Sequence, residues 1–106
     1  MLGMTSPTFE DRLNSYAELL VRVGVNLQPG QKLMVRATVD DAELVRKVVD
    51  VAYGLGSPYV EVFWADGATT RSRFLKAPAG SFDIIPEYRA QGMIQLAEEG
   101  AASLAI

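Results

Sequence analysis

The sequence predicts an α/β domain, layered α/β/α, with a mainly parallel sheet. Two short apolar segments, KLMVRAT and YVEVFW, flank a helical pattern of matching length, as a strand-helix-strand crossover requires. A later helical pattern leads into a third apolar segment, AASLAI. A chain of 106 residues, 49% hydrophobic and 22% charged, has the size and balance of one globular domain with a continuous core.

Each element follows from local chemistry. Ser6-Pro7-Thr8 ahead of Phe9, Glu10 and Asp11 reads as a helix start: a hydroxyl cap, an early proline and acids at the positive dipole end. The helix is predicted to reach about Val23, with Phe9, Leu13, Tyr16, Ala17, Leu20 and Val23 on its apolar face and Gly24 as the left-handed residue that ends it. Gln28-Pro29-Gly30-Gln31 reads as a tight turn in which proline fixes one dihedral and glycine frees the next. Lys32 to Thr38 then suits a buried strand. Asp40, with Glu43 at the third helical position, resembles a capping box, and Leu44, Val45, Val48, Val49 and Ala52 give the next helix its buried stripe. Gly54 and Gly56 bracket its end. Tyr59 to Trp64 is the strongest strand signal, and both it and the preceding helix are ~20 Å long.

Asp66-Gly67 opens a polar helical segment, ATTRSRFLKA, that stops at Pro78 and Gly80. Pro86 can start a last helix through about Glu99, with Ile85, Met93, Leu96 and Ala97 as its apolar side and Gly100 at its end. Ala101 to Ile106 is expected to form a third parallel strand, in the order 2-1-3. A parallel strand needs a neighbour to cover its edge, so the chain is expected to be a single-domain fragment, cut at that strand, with further material beyond Ile106.

Composition excludes several classes. A formal charge of -3 and a pI near 4.8 provide no broad positive field, so nucleic acid is not an expected partner. Without cysteine there is no disulfide framework, thiolate zinc site or cysteine nucleophile. No apolar run approaches the ~20 residues that span a bilayer, and no export signal opens the chain; a cytoplasmic location away from the membrane is expected. Histidine is absent too, which removes Ser-His-Asp and Cys-His catalysis and the H-E-x-x-H metal helix. No catalytic residue, metal ligand or cofactor is assigned within the chain.

The remaining constellations each have a structural and a functional reading. Asp40 and Asp41 follow a strand's C-terminal end, where carboxylates can hold magnesium in receiver domains, but Glu43 makes a helix cap the simpler reading. Gly54-Leu55-Gly56 follows a helix instead of opening one, so it is a helix stop and no dinucleotide fingerprint. Arg71, Arg73 and Lys76, after Asp66, form either a solvated helix face or a carboxylate-recognition patch. Tyr59, Phe63, Trp64 and Phe74 read as core, or else as an apolar ligand wall. Glu98 and Glu99 at a helix C-terminus oppose the dipole, as exposed charges or as contacts for a partner. Asp40, Asp66 and Arg71 are the candidates for the crevice at the strands' C-terminal ends. A freestanding flavodoxin-like or receiver-like binding module is the alternative, although the receiver pattern needs an aspartate that Leu104-Ala105-Ile106 does not supply.

Ala17, Leu19, Val21, Gly24, Asn26, Leu27, Gly30 and Gln31 fit the phrase A-x-L-x-[VI]-x-x-G-x-N-[LV]-x-x-G-Q, and with the later PEYRAQGMIQLAEEGAASLAI segment they carry a resemblance. From Phe9 to Ile106 the chain resembles the beginning of the aminopeptidase T family, the M29 metallopeptidases. The resemblance implies an exopeptidase that removes N-terminal residues from peptides with two divalent metals, zinc, cobalt or manganese, which activate water and polarise the scissile carbonyl. It also implies that the metal ligands lie in a following C-terminal catalytic domain. The present segment would then be a non-catalytic N-terminal domain that helps to form or gate the substrate cavity of a homodimer.

Overall fold

The computed structural model describes residues 8–106. The predicted contributions of Ser6 and Pro7 lie outside the described residues. Helix α1 (Phe9–Leu19) is capped by Thr8, whose hydroxyl accepts from the Asp11 amide at 3.0 Å while Asp11 Oδ2 accepts from the Thr8 amide at 3.2 Å. This reciprocal pair satisfies two otherwise orphaned donors. The helix then widens into a π-helical turn over Leu20–Gly24, closed by the Val25 amide donating to the Leu20 carbonyl at 2.8 Å.

Two expectations change here. The left-handed residue after the helix is Asn26 (φ 54) and Gly24 is not; asparagine is among the few side chains that tolerate this conformation. The buried side also differs from the expected one. Ala17 and Val21 are fully buried, whereas Phe9, Tyr16 and Val23 face outward. Leu13 and Leu20 of the predicted face do pack against the core.

The Gln28–Gln31 turn forms as expected, with Gly30 at φ 80 and the Gln31 amide donating to the Gln28 carbonyl at 3.0 Å. It delivers the chain into β1 (Leu33–Thr38), and a short 3-10 turn (Val39–Asp41) leads to α2 (Ala42–Gly54). The predicted capping box at Asp40 and Glu43 is absent. Asp40 lies in the 3-10 turn, and the residue ahead of α2 is Asp41, whose Oδ2 accepts from the Thr38 hydroxyl at 3.3 Å. The extra tight turn moves the helix start one residue past the expected position. The stripe is otherwise as read: Leu44, Val45, Val48 and Ala52 are buried, with Val49 packed beside them. Gly56 (φ 97) supplies the left-handed stop, and its carbonyl accepts from the Gly30 amide at 2.9 Å.

Strands β2 (Val60–Ala65) and β3 (Ala102–Ala105) complete a parallel sheet in the order β2-β1-β3. Leu33 sits opposite Val60 on one side and Ala102 on the other, which makes β1 the central strand. Alternation along β1 sends Leu33, Val35 and Ala37 into the core with Ala17, Val21 and the α2 stripe. The opposite face carries Met34, Arg36 and Thr38. Helix α4 (Glu87–Glu98) lies on that face and completes three layers: a Cβ at Gly92 would stand 3.8 Å from the Phe63 ring. Its C-terminal end is tied to the start of β1 by Lys32–Glu99 (3.0 Å) and by Gln31 Nε2 donating to the Gly100 carbonyl (3.1 Å). Glu99 therefore has an internal partner. The half-exposed pair contributes at most about 1 kcal/mol and fixes position more than stability.

The coverage is uneven. Helix α3 (Gly67–Lys76) buries no residue, and α4 buries only Leu96; the predicted Ile85 and Ala97 are exposed. The link between these helices is held locally. Phe74 stacks on Phe82 at 6.1 Å, and Arg73 lies 5.4 Å above the Phe82 ring while donating to the Ser81 carbonyl at 2.7 Å. Helix α3, the link and the outer side of α4 thus form an arm that adds little to the core.

Candidate functional site

Parallel α/β sheets present loops and helix starts at the C-terminal ends of their strands, where ligands are usually received. Here those ends are Thr38 and Ala65, and recesses open on both faces of the sheet around them. On the α2 side, Val39, Ala42, Arg46 and Trp64 line one of about 500 Å³. On the α4 side, Arg36, Phe63, Ala65, Pro86, Arg89 and Met93 line one of about 410 Å³. A third, of about 620 Å³, runs beside β2 past Tyr59, Phe63, Trp64 and Tyr88.

The sequence candidates are placed as follows. Asp40 is exposed in the 3-10 turn, Asp66 directly precedes α3, and Arg71 is exposed on α3. All three follow a strand's C-terminal end, but they line none of these recesses. Asp66 does have a defined role. Its Oδ2 accepts from the Thr69 hydroxyl at 2.6 Å, and that hydrogen bond holds the carboxyl below its ordinary value of 3.8. A depressed folded value means that the contact's contribution to stability is present above the unfolded value and is lost as pH falls through the folded one. Thr69→Ala should therefore move the Asp66 midpoint upward toward 3.8 in a carboxyl NMR titration. An unmoved midpoint would assign the shift to another cause.

Of the basic patch, Arg73 is committed to Ser81 and Phe82 and so is structural. The aromatic set divides. Phe74 is 72% exposed on the arm, whereas Tyr59, Phe63 and Trp64 form the wall along β2 and none of them joins the core. The Tyr59 hydroxyl donates to Glu61 Oε2 at 2.6 Å, and stabilisation of the protonated phenol by that carboxylate raises the tyrosine pKa.

Sequence reasoning missed Arg36 and Arg89. Arg36 is the single charge inside an otherwise apolar strand, and Arg89 is a base in a helix's first turn, where the dipole disfavours it. Both anomalies are visible in the sequence. Arg89 Nη2 donates to the Trp64 carbonyl at 2.7 Å, which caps one open backbone group on the outer edge of β2.

Among the described residues no three carboxylates gather in a way that could hold a metal ion, and the chain has no histidine or cysteine to complete such a set. The residues present thus do not fit a metal centre. No helix among them is long and apolar enough to cross a membrane.

Comparison with known proteins gives a consistent result. The family model for thermophilic metalloproteases, M29, matches residues 9–106. Aminopeptidase 2 of Geobacillus stearothermophilus is 48% identical over 98 residues, covering 92% of this chain and 24% of that protein. Aminopeptidase AmpS of Bacillus subtilis is 39% identical over 99 residues, covering 93% of this chain and 24% of its own. The solved structure of wild-type AmpT from Thermus thermophilus superimposes with a TM-score of 0.86 at 35% identity, over 92% of this chain and 25% of that one. The chain spans about a quarter of the length of the curated relatives it matches.

Proposed function

Because the chain belongs to the M29 family of thermophilic metalloproteases, we propose that it is the N-terminal, non-catalytic domain of a metal-dependent aminopeptidase that releases N-terminal residues from peptides. The observation that carries this reading is the match of 92% of the chain to a quarter of a protein named an aminopeptidase, at 48% identity. The lack of a metal-binding set among the described residues supports placing the divalent ions, zinc, cobalt or manganese, in a C-terminal domain of the parent. What this chain supplies is shape. Its strand ends and recesses wall or gate the peptide cavity, and its exposed arm packs on the catalytic domain. The parent acts in the cytoplasm as a homodimer.

Asp40, Asp66 and Arg71 face the peptide crevice in this reading. Alanine at each position in the full-length parent is expected to raise KM for a short peptide about three- to tenfold and to leave kcat nearly unchanged, as loss of a charged contact made equally in ground and transition states would. Unchanged kinetics in all three variants would remove these residues from the crevice. The aminopeptidase reading itself is tested separately by chelating and then restoring divalent metal to the parent. Release of N-terminal residues should stop and return; a parent that releases none with any of the three metals contradicts it.

A further inference from the structure

The recess beside Arg36 has an unusual lining. Alternation along β1 places Arg36 on the α4 side of the sheet, where its side chain, like that of Arg89, is solvent-exposed at the rim of the recess. Its neighbour across the recess is Arg89, from the first turn of α4. Phe63, Ala65, Pro86 and Met93 line the same recess and give it an apolar floor. Neither arginine takes part in an ion pair among the described residues. Of the acids on neighbouring elements, Glu61 accepts from Tyr59 and lines the adjoining recess with Arg89, Asp66 accepts from Thr69, and Glu87 is exposed; none of the three lines this recess or pairs with either arginine.

Two like charges in one apolar-walled recess repel each other, and an anion seated between them turns that repulsion into attraction. Guanidinium forks match the two oxygens of a carboxylate. Arg89 is already oriented, because Nη2 is held by the Trp64 carbonyl and its other donors remain available. The apolar walls favour a carboxylate carried next to a hydrophobic group over a bare inorganic anion.

We propose that this recess binds the free C-terminal carboxylate of a short peptide whose last side chain is apolar. The proposal deepens the aminopeptidase reading and rests on it for its biological meaning: the site would hold the end of the substrate remote from the bond being cut, and so select short peptides with a free C-terminus.

The test is a nitrogen-15 NMR titration of this chain with N-acetyl-leucyl-leucine and with the same compound as its C-terminal amide. The free acid should shift the side-chain N–H signals of Arg36 and Arg89 and the backbone amides of Ala37 and Ala65, and should bind about tenfold more tightly than the amide. Arg36→Gln should abolish that preference, while Arg36→Lys, which keeps charge but loses the fork, should restore only part of it. Equal binding of acid and amide by the unsubstituted chain overturns the proposal even if the variants fail to fold. Tighter binding of inorganic phosphate at the same signals also overturns it. No step of this measurement depends on catalysis, so an inactive parent would leave the binding result standing, and equal binding would leave the aminopeptidase reading standing.

Discussion

Truncating Leu33 to alanine is expected to lower the stability of this chain by about 3 kcal/mol. Leu33 is fully buried on the central strand, flanked in register by Val60 and Ala102 and packed into the cluster that joins α1 and α2 to the sheet. Removing its side chain forfeits the transfer term and leaves a cavity that the two flanking strands and the helices above them cannot readily collapse. Marginal domains hold only about 5–15 kcal/mol in total, and one with a single well-covered face belongs near the lower end. In urea, the midpoint should fall with the slope unchanged. A loss below about 1 kcal/mol would show that the core does not close around β1 as described.

The second large effect concerns the arm. Phe74, Leu75, Ile84, Ile85, Tyr88 and Ile94 are all more than half exposed, with Ile85 at 78%. Scattered apolar residues on a surface are ordinary; six within one poorly covered region fit the proposal that the arm packs on another domain. In the proposed parent, the catalytic domain provides that cover. Ile85→Ala should therefore change the stability of the isolated chain by less than about 0.5 kcal/mol. In the parent, the same substitution should cost about 2 to 4 kcal/mol, because there the side chain is buried. Equally small effects in both proteins would mean that the arm faces solvent in the parent as well.

Much of the fold was legible because local and tertiary demands agree there. The α2 stripe, the Pro29-Gly30 turn, the two long strands and their order all combine strong local signals with burial. The misread positions are those where neighbouring geometry decided. In the first helical segment burial falls on Ala17 and Val21 and not on Phe9, Tyr16 or Val23, and a 3-10 turn displaced the expected cap at Asp40. Ile85 and Ala97 matched a helical stripe, but α4 covers only part of the sheet, so the apolar pattern did not translate into burial within this chain.

The candidate site was less legible. Position after a strand drew attention to Asp40, Asp66 and Arg71, because the rule for α/β crevices is stated for strand ends. The two recesses on the α4 side, in contrast, are lined mostly by side chains within the strands and by α4, and no sequence rule said which face of the sheet α4 would cover. Arg36 and Arg89 are 53 positions apart in the chain and line one recess only because the start of α4 lies beside β1 and β2. Their two separate departures from local preference were the available clue.

The division of labour between this domain and the rest of an M29 aminopeptidase can be tested directly with the purified chain. Its 106 residues would be incubated with zinc, cobalt or manganese and a leucyl peptide, and release of free leucine measured with and without a chelator. The expected result is no release above buffer with any of the three ions, whereas the full-length parent releases leucine under the same conditions. Chelator-sensitive release by the isolated chain would contradict the assignment of the chemistry to residues outside it.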